Sequence, residues 1–119
     1  MVIELRQDRD LEQLLEISKS NPVFIFKHST QCPISRQTYN EFREFAESAG
    51  ELTWGLVLVI EHRAISDTIA KWFNVPHESP QVIVIKDSRA TWQASHWSIT
   101  LDSLNEALRR HGQPAHQRD

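Results

Sequence analysis

Residues 23–35 read VFIFKHSTQCPIS, and this stretch decides the fold. An apolar run typical of a buried strand leads to Cys32, the only cysteine of the chain, and Pro33 then opens a helical pattern. A thiol at such a strand-to-helix junction faces unpaired N–H groups and the positive end of the helix dipole, which stabilise a thiolate. Most isolated cysteines are small buried hydrophobes. The strand before Cys32 and the proline after it favour a reactive thiol instead.

The composition limits the classes of function. The 119 residues fit one domain, with ordinary apolar (39%) and charged (24%) content. A formal net charge of −3 gives no electrostatic case for nucleic acid or an anionic membrane as partner. No run approaches the ~20 apolar residues that span a bilayer, and the N-terminal residues are unlike a signal peptide. A single cysteine cannot form an internal disulfide, so we expect a reducing, cytoplasmic location and disulfides only with other molecules.

Hydrophobic periodicity predicts the element order β-α-β-α-β-α-β-β-α. The predicted strands are residues 2–5, 23–27, 52–60, 81–85 and 89–96, and the predicted helices are residues 8–19, 33–49, 65–73 and 101–111. Asp8 and Thr100 are the predicted N-caps, Asn74 is the predicted left-handed stop of the third helix, and Trp72 is expected to pack.

This order predicts an α/β domain with a mixed central sheet flanked by helices. Alternating helices and strands favour a largely parallel sheet covered on both faces, ending in an antiparallel hairpin. The domain is expected to span residues 1–112, with a flexible polar tail over residues 113–119. The turn that holds Cys32 then lies at the C-terminal end of a central strand, where open α/β sheets place their chemistry.

The element order and two motifs resemble the thioredoxin fold. The CPIS turn at residues 32–35 looks like the active-site turn of a glutaredoxin-type protein whose second cysteine has become Ser35. Ser79-Pro80, followed by the strand at residues 81–85, resembles the cis-proline loop that faces the cysteine in that fold.

More narrowly, three motifs are similar to those of the monothiol bacilliredoxins, the YtxJ-like family. They are TQCPIS at residues 30–35, AIS at residues 64–66 and HESPQ at residues 77–81. The usual family pattern is TCPIS, whereas here Gln31 stands between Thr30 and the cysteine. This departure leaves the catalytic unit intact and changes the contacts open to an incoming substrate.

The resemblance implies the removal of bacillithiol, a low-molecular-weight thiol, from proteins that carry it as a mixed disulfide. Cys32 is then the catalytic nucleophile: its thiolate attacks the mixed disulfide, the target thiol leaves, and the small thiol stays on Cys32. Ser35 cannot attack that adduct, so a second thiol or a redox recycling protein must release it. Bacillithiol is a co-substrate in this scheme, and no cofactor is expected.

The candidate site residues come from two segments of the chain. The active-site turn around Cys32 comprises Thr30, Gln31, Pro33, Ile34 and Ser35, and the candidate substrate-binding residues are His28, His77, Glu78, Ser79 and Pro80. Pro33 fixes φ at the first helical position. The resemblance implies a cis bond at Pro80 that lets the backbone of Ser79 pair with an extended substrate. An ordinary loop proline that opens a strand is the alternative.

Two polar residues near the cysteine each have two interpretations. The hydroxyl of Ser35 is within reach of the sulfur and can donate to the thiolate, but a plain capping-region serine explains it equally well. His28 either orients or protonates a leaving thiol, or is a strand-end histidine satisfied by its surroundings, which we favour.

Four residues, two of them in the list above, are candidates for contact with a polar small thiol. His77 and Glu78 flank the proline loop, and they either touch the ligand or serve the loop alone. Lys27 and Arg63 are candidate anchors for the carboxylates of such a thiol.

Other functions have weaker support in the sequence. The six histidines show no zinc-type spacing, so no metal is expected, and the four tryptophans are more often packing residues than a stacking platform for bases. Iron–sulfur carriers of the monothiol glutaredoxin type usually have Gly after the cysteine and a Gly-Gly pair, whereas Pro33 follows here and no Gly-Gly occurs. A redox-silent interaction module with an unreactive Cys32 is the third class.

Overall fold

The computed structural model describes residues 1–112, and the predicted tail at residues 113–119 lies outside the described residues. The strands are β1 (Val2–Glu4), β2 (Val23–His28), β3 (Trp54–Leu58), β4 (Gln81–Lys86) and β5 (Arg89–Ser95). The helices are α1 (Asp8–Ser18), α2 (Pro33–Ser48), α3 (Arg63–Phe73) and α4 (Leu101–His111), with a 3-10 turn at His96–Ser98. The predicted order of strands and helices is confirmed.

Five strands form one mixed sheet in the order β1-β3-β2-β4-β5. β1, β3 and β2 are parallel, whereas β4 runs antiparallel to both β2 and β5. The predicted mixed sheet and its hairpin are confirmed, and the parallel part is limited to three strands. Lys27 of β2 pairs with Gln81 of β4, so β4 starts at the level where β2 ends. The turn after β2 and the segment before β4 therefore lie at the same end of the sheet.

Each face of the sheet is covered by two helices. The face under α1 and α3 is aliphatic, with a buried cluster of Leu5, Leu11, Leu14, Val23, Ile25, Val57, Val59, Ile65, Ile69, Ile83 and Ile85. The face under α2 and α4 is rich in aromatic rings, with Phe24, Phe26, Phe42, Phe45, Trp54, Val82, Val84, Ile99, Leu104 and Ala107. Successive residues of β2 go to opposite faces, as the pleat of a strand requires. The strand is buried along its whole length, as its apolar run predicts.

The cap of α1 differs from the prediction. Asp8 is the first helical residue, and the N-cap is Gln7, whose N–H donates to Asp10 Oδ2 at 3.1 Å. The same carboxylate oxygen accepts from the N–H of Arg6 at 2.9 Å. A carboxylate at the third helical position reaches back to donors that Asp8, at the first position, does not satisfy.

The predicted cap of α4 is confirmed. Thr100 Oγ1 accepts from the N–H of Ser103 at 3.0 Å, and Ser103 Oγ in turn accepts from the N–H of Thr100 at 3.0 Å. The predicted left-handed stop of α3 is also present, because Asn74 has a φ of 54°. These ends match the sequence signals because capping residues act through their own side chains or their tolerance of positive φ.

The expected packing of Trp72 is wrong. Its side chain is 49% exposed, whereas Phe73 beside it is half-buried against the aliphatic cluster. Neighbouring helix positions point about 100° apart, so the last turn of α3 can bury one of these two rings and not both. The helix also starts at Arg63, two residues before its predicted start.

Candidate active site

Cys32 lies at the predicted strand-to-helix junction. It is the N-cap of α2, with an extended backbone (φ −109°, ψ 120°), and Pro33 is the first helical residue. The N–H of Cys32 donates to Ser29 O at 3.2 Å, which closes the turn, and its carbonyl accepts from the N–H of Arg36 at 3.1 Å. Its side chain makes no capping hydrogen bond, and the thiol is free and partly exposed. The sulfur is therefore open to an incoming disulfide.

Ser35 connects the turn to the end of β2. Its side chain is buried, and its Oγ accepts from the N–H of Ser29 at 2.9 Å and lies 2.7 Å from His28 Nδ1. These contacts favour the capping-region interpretation of this serine. In the part of the chain that the structure describes, Ser35 makes no hydrogen bond to the sulfur of Cys32. Donation to the thiolate stays a prediction.

His28 is enclosed by the aromatic face of the sheet. His28 is 6% exposed, and its ring stacks on Tyr39, with ring centroids 4.6 Å apart and planes at 19°. Burial lowers the pKa of His28, and the negative charge of Glu61 opposes this effect. The environment therefore favours a neutral imidazole, as for a strand-end histidine satisfied by its surroundings. A role in protonating a leaving thiol stays a prediction.

The cis-proline segment, residues 76–80, lies beside the turn of Cys32 at the end of the neighbouring strand. The Ser79–Pro80 bond is cis, which matches the geometry implied by the resemblance. The segment is held at both ends: Pro76 O accepts from Gln81 Nε2 at 3.1 Å, and Pro80 O accepts from the N–H of His96 at 3.0 Å. Ser79 Oγ is buried and has no hydrogen-bond partner within residues 1–112.

The 3-10 turn at His96–Ser98 forms a third side of the site, and the sequence did not predict it. It packs against α2, and His96 Nε2 lies 3.5 Å from Glu78 Oε1 of the cis-proline segment. Trp97 is 61% exposed here. One signal could have located this turn, because β5 of a hairpin must return the chain to the end of the sheet where β4 starts.

Lys27 does not anchor a carboxylate of a small thiol, and that prediction is wrong. Its side chain is fully buried, Nζ donates to Ser66 O at 3.1 Å, and Nζ lies 3.4 Å from His77 Nδ1. Burial lowers the pKa of Lys27 to about 8, while the nearby Asp67 carboxylate opposes this shift. A substrate cannot reach this ammonium. Arg63, the other candidate anchor, is exposed and pairs with Asp67, with Nε and Oδ1 3.0 Å apart.

Residues 1–112 contain neither a cluster of metal-ligating side chains nor a membrane-spanning helix. In that range no group of three or more His, Cys, Asp or Glu side chains is arranged to hold a metal ion. No helix there has the length and apolar content to cross a membrane.

Solved structures with the same fold exist. A structure described as a candidate oxidoreductase with a thioredoxin fold is 36% identical, covers 89% of this chain and 92% of its own, and superposes with a TM-score of 0.81. The thioredoxin of Fasciola hepatica is 20% identical, with coverage of 91% and 97% and a TM-score of 0.76. The thioredoxin of Schistosoma mansoni is 24% identical, with coverage of 92% and 94% and a TM-score of 0.73. The two thioredoxins support the fold alone.

The fold and the single cysteine at the helix N-terminus place the chain among the thioredoxin-fold thiol–disulfide oxidoreductases. Its family is narrower than that class. The family described as monothiol bacilliredoxin BrxC matches residues 3–104, and the chain belongs to this family.

Proposed function

We propose that this protein removes bacillithiol from proteins that carry it as a mixed disulfide. The observation that carries the proposal is the partly exposed thiol of Cys32 at the N-terminus of α2, in a chain of the monothiol bacilliredoxin family. Ser35 stands where the resemblance places the second cysteine of a dithiol turn, and its Oγ contacts Ser29 and His28. This supports a reaction in which the small thiol stays on Cys32 until another molecule removes it.

The proposed step is a thiol–disulfide exchange. The Cys32 thiolate attacks the bacillithiol sulfur of the mixed disulfide, an S–S bond forms between Cys32 and bacillithiol, and the target cysteine leaves as a thiolate. The target protein is reduced and Cys32 is oxidised, so electrons balance without a cofactor.

A second exchange returns Cys32 to its thiolate. Free bacillithiol, or a thiol of a recycling protein, attacks the bacillithiol sulfur of the adduct and takes over the disulfide. The proposed partners are therefore bacillithiolated proteins, bacillithiol and a redox recycling protein. The proposed location is the cytoplasm, where low-molecular-weight thiols keep cysteines reduced.

The experiment that tests this proposal is intact-mass spectrometry of the reduced protein after mixing with a model protein that carries bacillithiol. A matched target that carries glutathione and a Cys32→Ala variant run beside it. We expect the bacillithiol mass on the wild-type protein, no transfer to the variant, and slower transfer from the glutathione target.

The other outcomes are equally informative. Equal rates from both targets would keep the exchange chemistry and withdraw the bacillithiol assignment. No adduct from either target, together with a Cys32 that resists alkylation near neutral pH, would leave a redox-silent interaction module.

A further inference from the structure

Within residues 1–112, the buried lysine of β2 has no ion-pair partner of its own. The side chain of Lys27 is fully buried, and within residues 1–112 no carboxylate lies at ion-pair distance from its Nζ. Burying a charge without a counter-charge is costly, and an apolar side chain of similar volume is often neutral or stabilising at such a position. The core therefore does not need this ammonium, and its contacts point to a different role.

Those contacts join the lysine to the cis-proline segment. Nζ donates to Ser66 O of α3 and lies 3.4 Å from His77 Nδ1, while Ser66 Oγ lies 3.3 Å from the same nitrogen. An ammonium group can only donate hydrogen bonds. The Nδ1 atom of His77 must then accept, which requires a neutral imidazole with its proton on Nε2.

His77 lies inside the cis-proline segment, whose two ends are held by other hydrogen bonds. Pro76 O is bound by Gln81 Nε2, and Pro80 O is bound by the N–H of His96. The contact of His77 with Lys27 lies between these two points. Without it, two weak side-chain contacts among residues 1–112 still hold the residues before the proline: Ser66 Oγ with His77 Nδ1 at 3.3 Å, and Glu78 with His96 at 3.5 Å.

We propose that Lys27 is a positioning residue for the cis-proline segment: its buried ammonium holds His77 in the neutral form with the proton on Nε2, and thereby fixes the segment next to Cys32. The half-buried His77 then presents Nε2–H as a donor, for which the described residues supply no acceptor, to an acceptor oxygen of the bound substrate. This role rests on the proposed function, because it concerns the segment that receives the target.

The charges around His77 oppose its protonation. Burial lowers the pKa of His77, and the cations of Lys27 and Arg63 lower it further, while the carboxylates of Asp67 and Glu78 raise it. A proton on Nδ1 would remove the acceptor and set two cations 3.4 Å apart. Acidification should therefore loosen the segment at this point.

The first test needs no variant. The tautomer of His77 is measured by nitrogen-15 NMR of the reduced, histidine-labelled full chain near neutral pH. We expect Nε2 to carry the hydrogen and Nδ1 to be bare. A hydrogen on Nδ1 would overturn the proposal whatever the transfer activity.

The second test measures the rate at which bacillithiol passes from a model protein to Cys32, and the rate of Cys32 alkylation by iodoacetamide. We expect Lys27→Met to slow transfer about tenfold through the misplaced segment, with alkylation within about twofold of wild type. Lys71→Met, which removes an exposed lysine of α3, is the matched control and should change neither rate. An unchanged transfer rate in folded Lys27→Met would overturn the proposal.

A double-mutant cycle distinguishes a Lys27 that acts through His77 from a Lys27 that acts independently of His77. If Lys27 acts through His77, then adding Lys27→Met to His77→Leu should slow transfer by less than about twofold beyond His77→Leu alone. Multiplicative losses would mean that the lysine acts by another route.

The two proposals fail separately. Wild-type protein that transfers bacillithiol while His77 carries its hydrogen on Nδ1 refutes the positioning role and keeps the function. Wild-type protein with the expected tautomer and no transfer from any target refutes the function, and with it the substrate role of the segment.

Discussion

The Nδ1 atom of His28 lies 2.7 Å from the Oγ atom of Ser35, and this contact joins the last residue of β2 to the third residue of α2. The same Oγ accepts from the N–H of Ser29, inside the turn that it spans. The turn that carries Cys32 is therefore closed by a buried side chain as well as by its own backbone.

Replacing Ser35 with alanine should destabilise the fold. The change leaves the N–H of Ser29 and the Nδ1 of His28 without their partner, and unsatisfied buried groups of this kind cost about 1–3 kcal/mol. We expect the free energy of unfolding in urea to fall by that amount. Ser48→Ala, at the exposed end of α2, is the control and should stay within about 0.5 kcal/mol of wild type. If the free energy of unfolding fell equally in both variants, the buried contact of Ser35 would not contribute more to stability than the exposed Ser48.

Replacing Ser35 with cysteine should convert the turn to dithiol chemistry. The N-cap and third positions of a helix bring their side chains together, as in a capping box. After transfer from a bacillithiolated protein, we expect the second thiol to displace bacillithiol and to leave an internal disulfide, seen in the intact mass as the loss of two hydrogens. Ser48→Cys keeps its second thiol at the far end of α2 and should retain the adduct. An adduct that survives equally long in both variants would contradict this expectation.

The stability of the protein should fall on mild acidification, partly through His28. Burial lowers its pKa in the folded state, so the unfolded chain takes up the proton first as the pH falls below about 7. The free energy of unfolding then decreases with falling pH, by less than about 1.4 kcal/mol per pH unit for one proton. His28→Asn keeps a polar atom near Ser35 and cannot titrate, so it should flatten this slope between pH 7 and 5, which urea titrations at about half-unit intervals can measure.

The control for that slope is His62→Asn, which leaves the contact between His28 and Ser35 in place and keeps a good capping residue at the start of α3. It should retain the wild-type slope. If the free energy of unfolding of His28→Asn depended on pH as strongly as that of wild type, other groups would account for the acid sensitivity. His77 is one such group, because burial lowers its pKa as well.

Lys27 should make the free energy of unfolding depend on pH in the alkaline range as well. Its pKa is about 8 in the folded protein and about 10.4 in an unfolded chain. Between these values the unfolded state binds more protons, so the free energy of unfolding rises with pH, by up to about 1.4 kcal/mol per unit. Lys27→Met should lack this rise and be no less stable than wild type at pH 7, whereas Lys71→Met should keep it. Urea unfolding at about pH 8 and pH 10 compares them, and a rise that persists in Lys27→Met would show that the buried ammonium is not its source.

Much of this architecture could be predicted from sequence because its signals are local. The apolar run of β2, the proline after Cys32 and the caps at Thr100 and Asn74 act within a few residues, and the structure has them all. The cap of α1 was missed because several polar residues precede that helix, and only the geometry shows that Asp10 is the one that reaches back.

The details of the site could not be predicted, because its contacts join residues far apart in the chain. Lys27 donates to the backbone oxygen of Ser66. Every residue has a backbone carbonyl, so the sequence does not indicate which one accepts this hydrogen bond. The sequence left Lys27 as a candidate anchor, whereas its position in a strand covered by α3 buries it. The contact between His96 and Glu78 likewise depends on the return of a hairpin, which periodicity places only approximately.

The pleat of β2 constrains how this chain can vary. Lys27 and His28 are neighbours, so their side chains leave the strand on opposite faces, one toward α3 and the other toward Tyr39 of α2. A single-residue insertion or deletion in the strand would exchange them, setting an ammonium among aromatic rings and an imidazole against α3. Length changes should therefore be absent from residues 24–32. In related sequences, substitutions at Lys27 should accompany substitutions at His77, and substitutions at His28 should accompany those at Ser35. The two pairs should vary independently of each other.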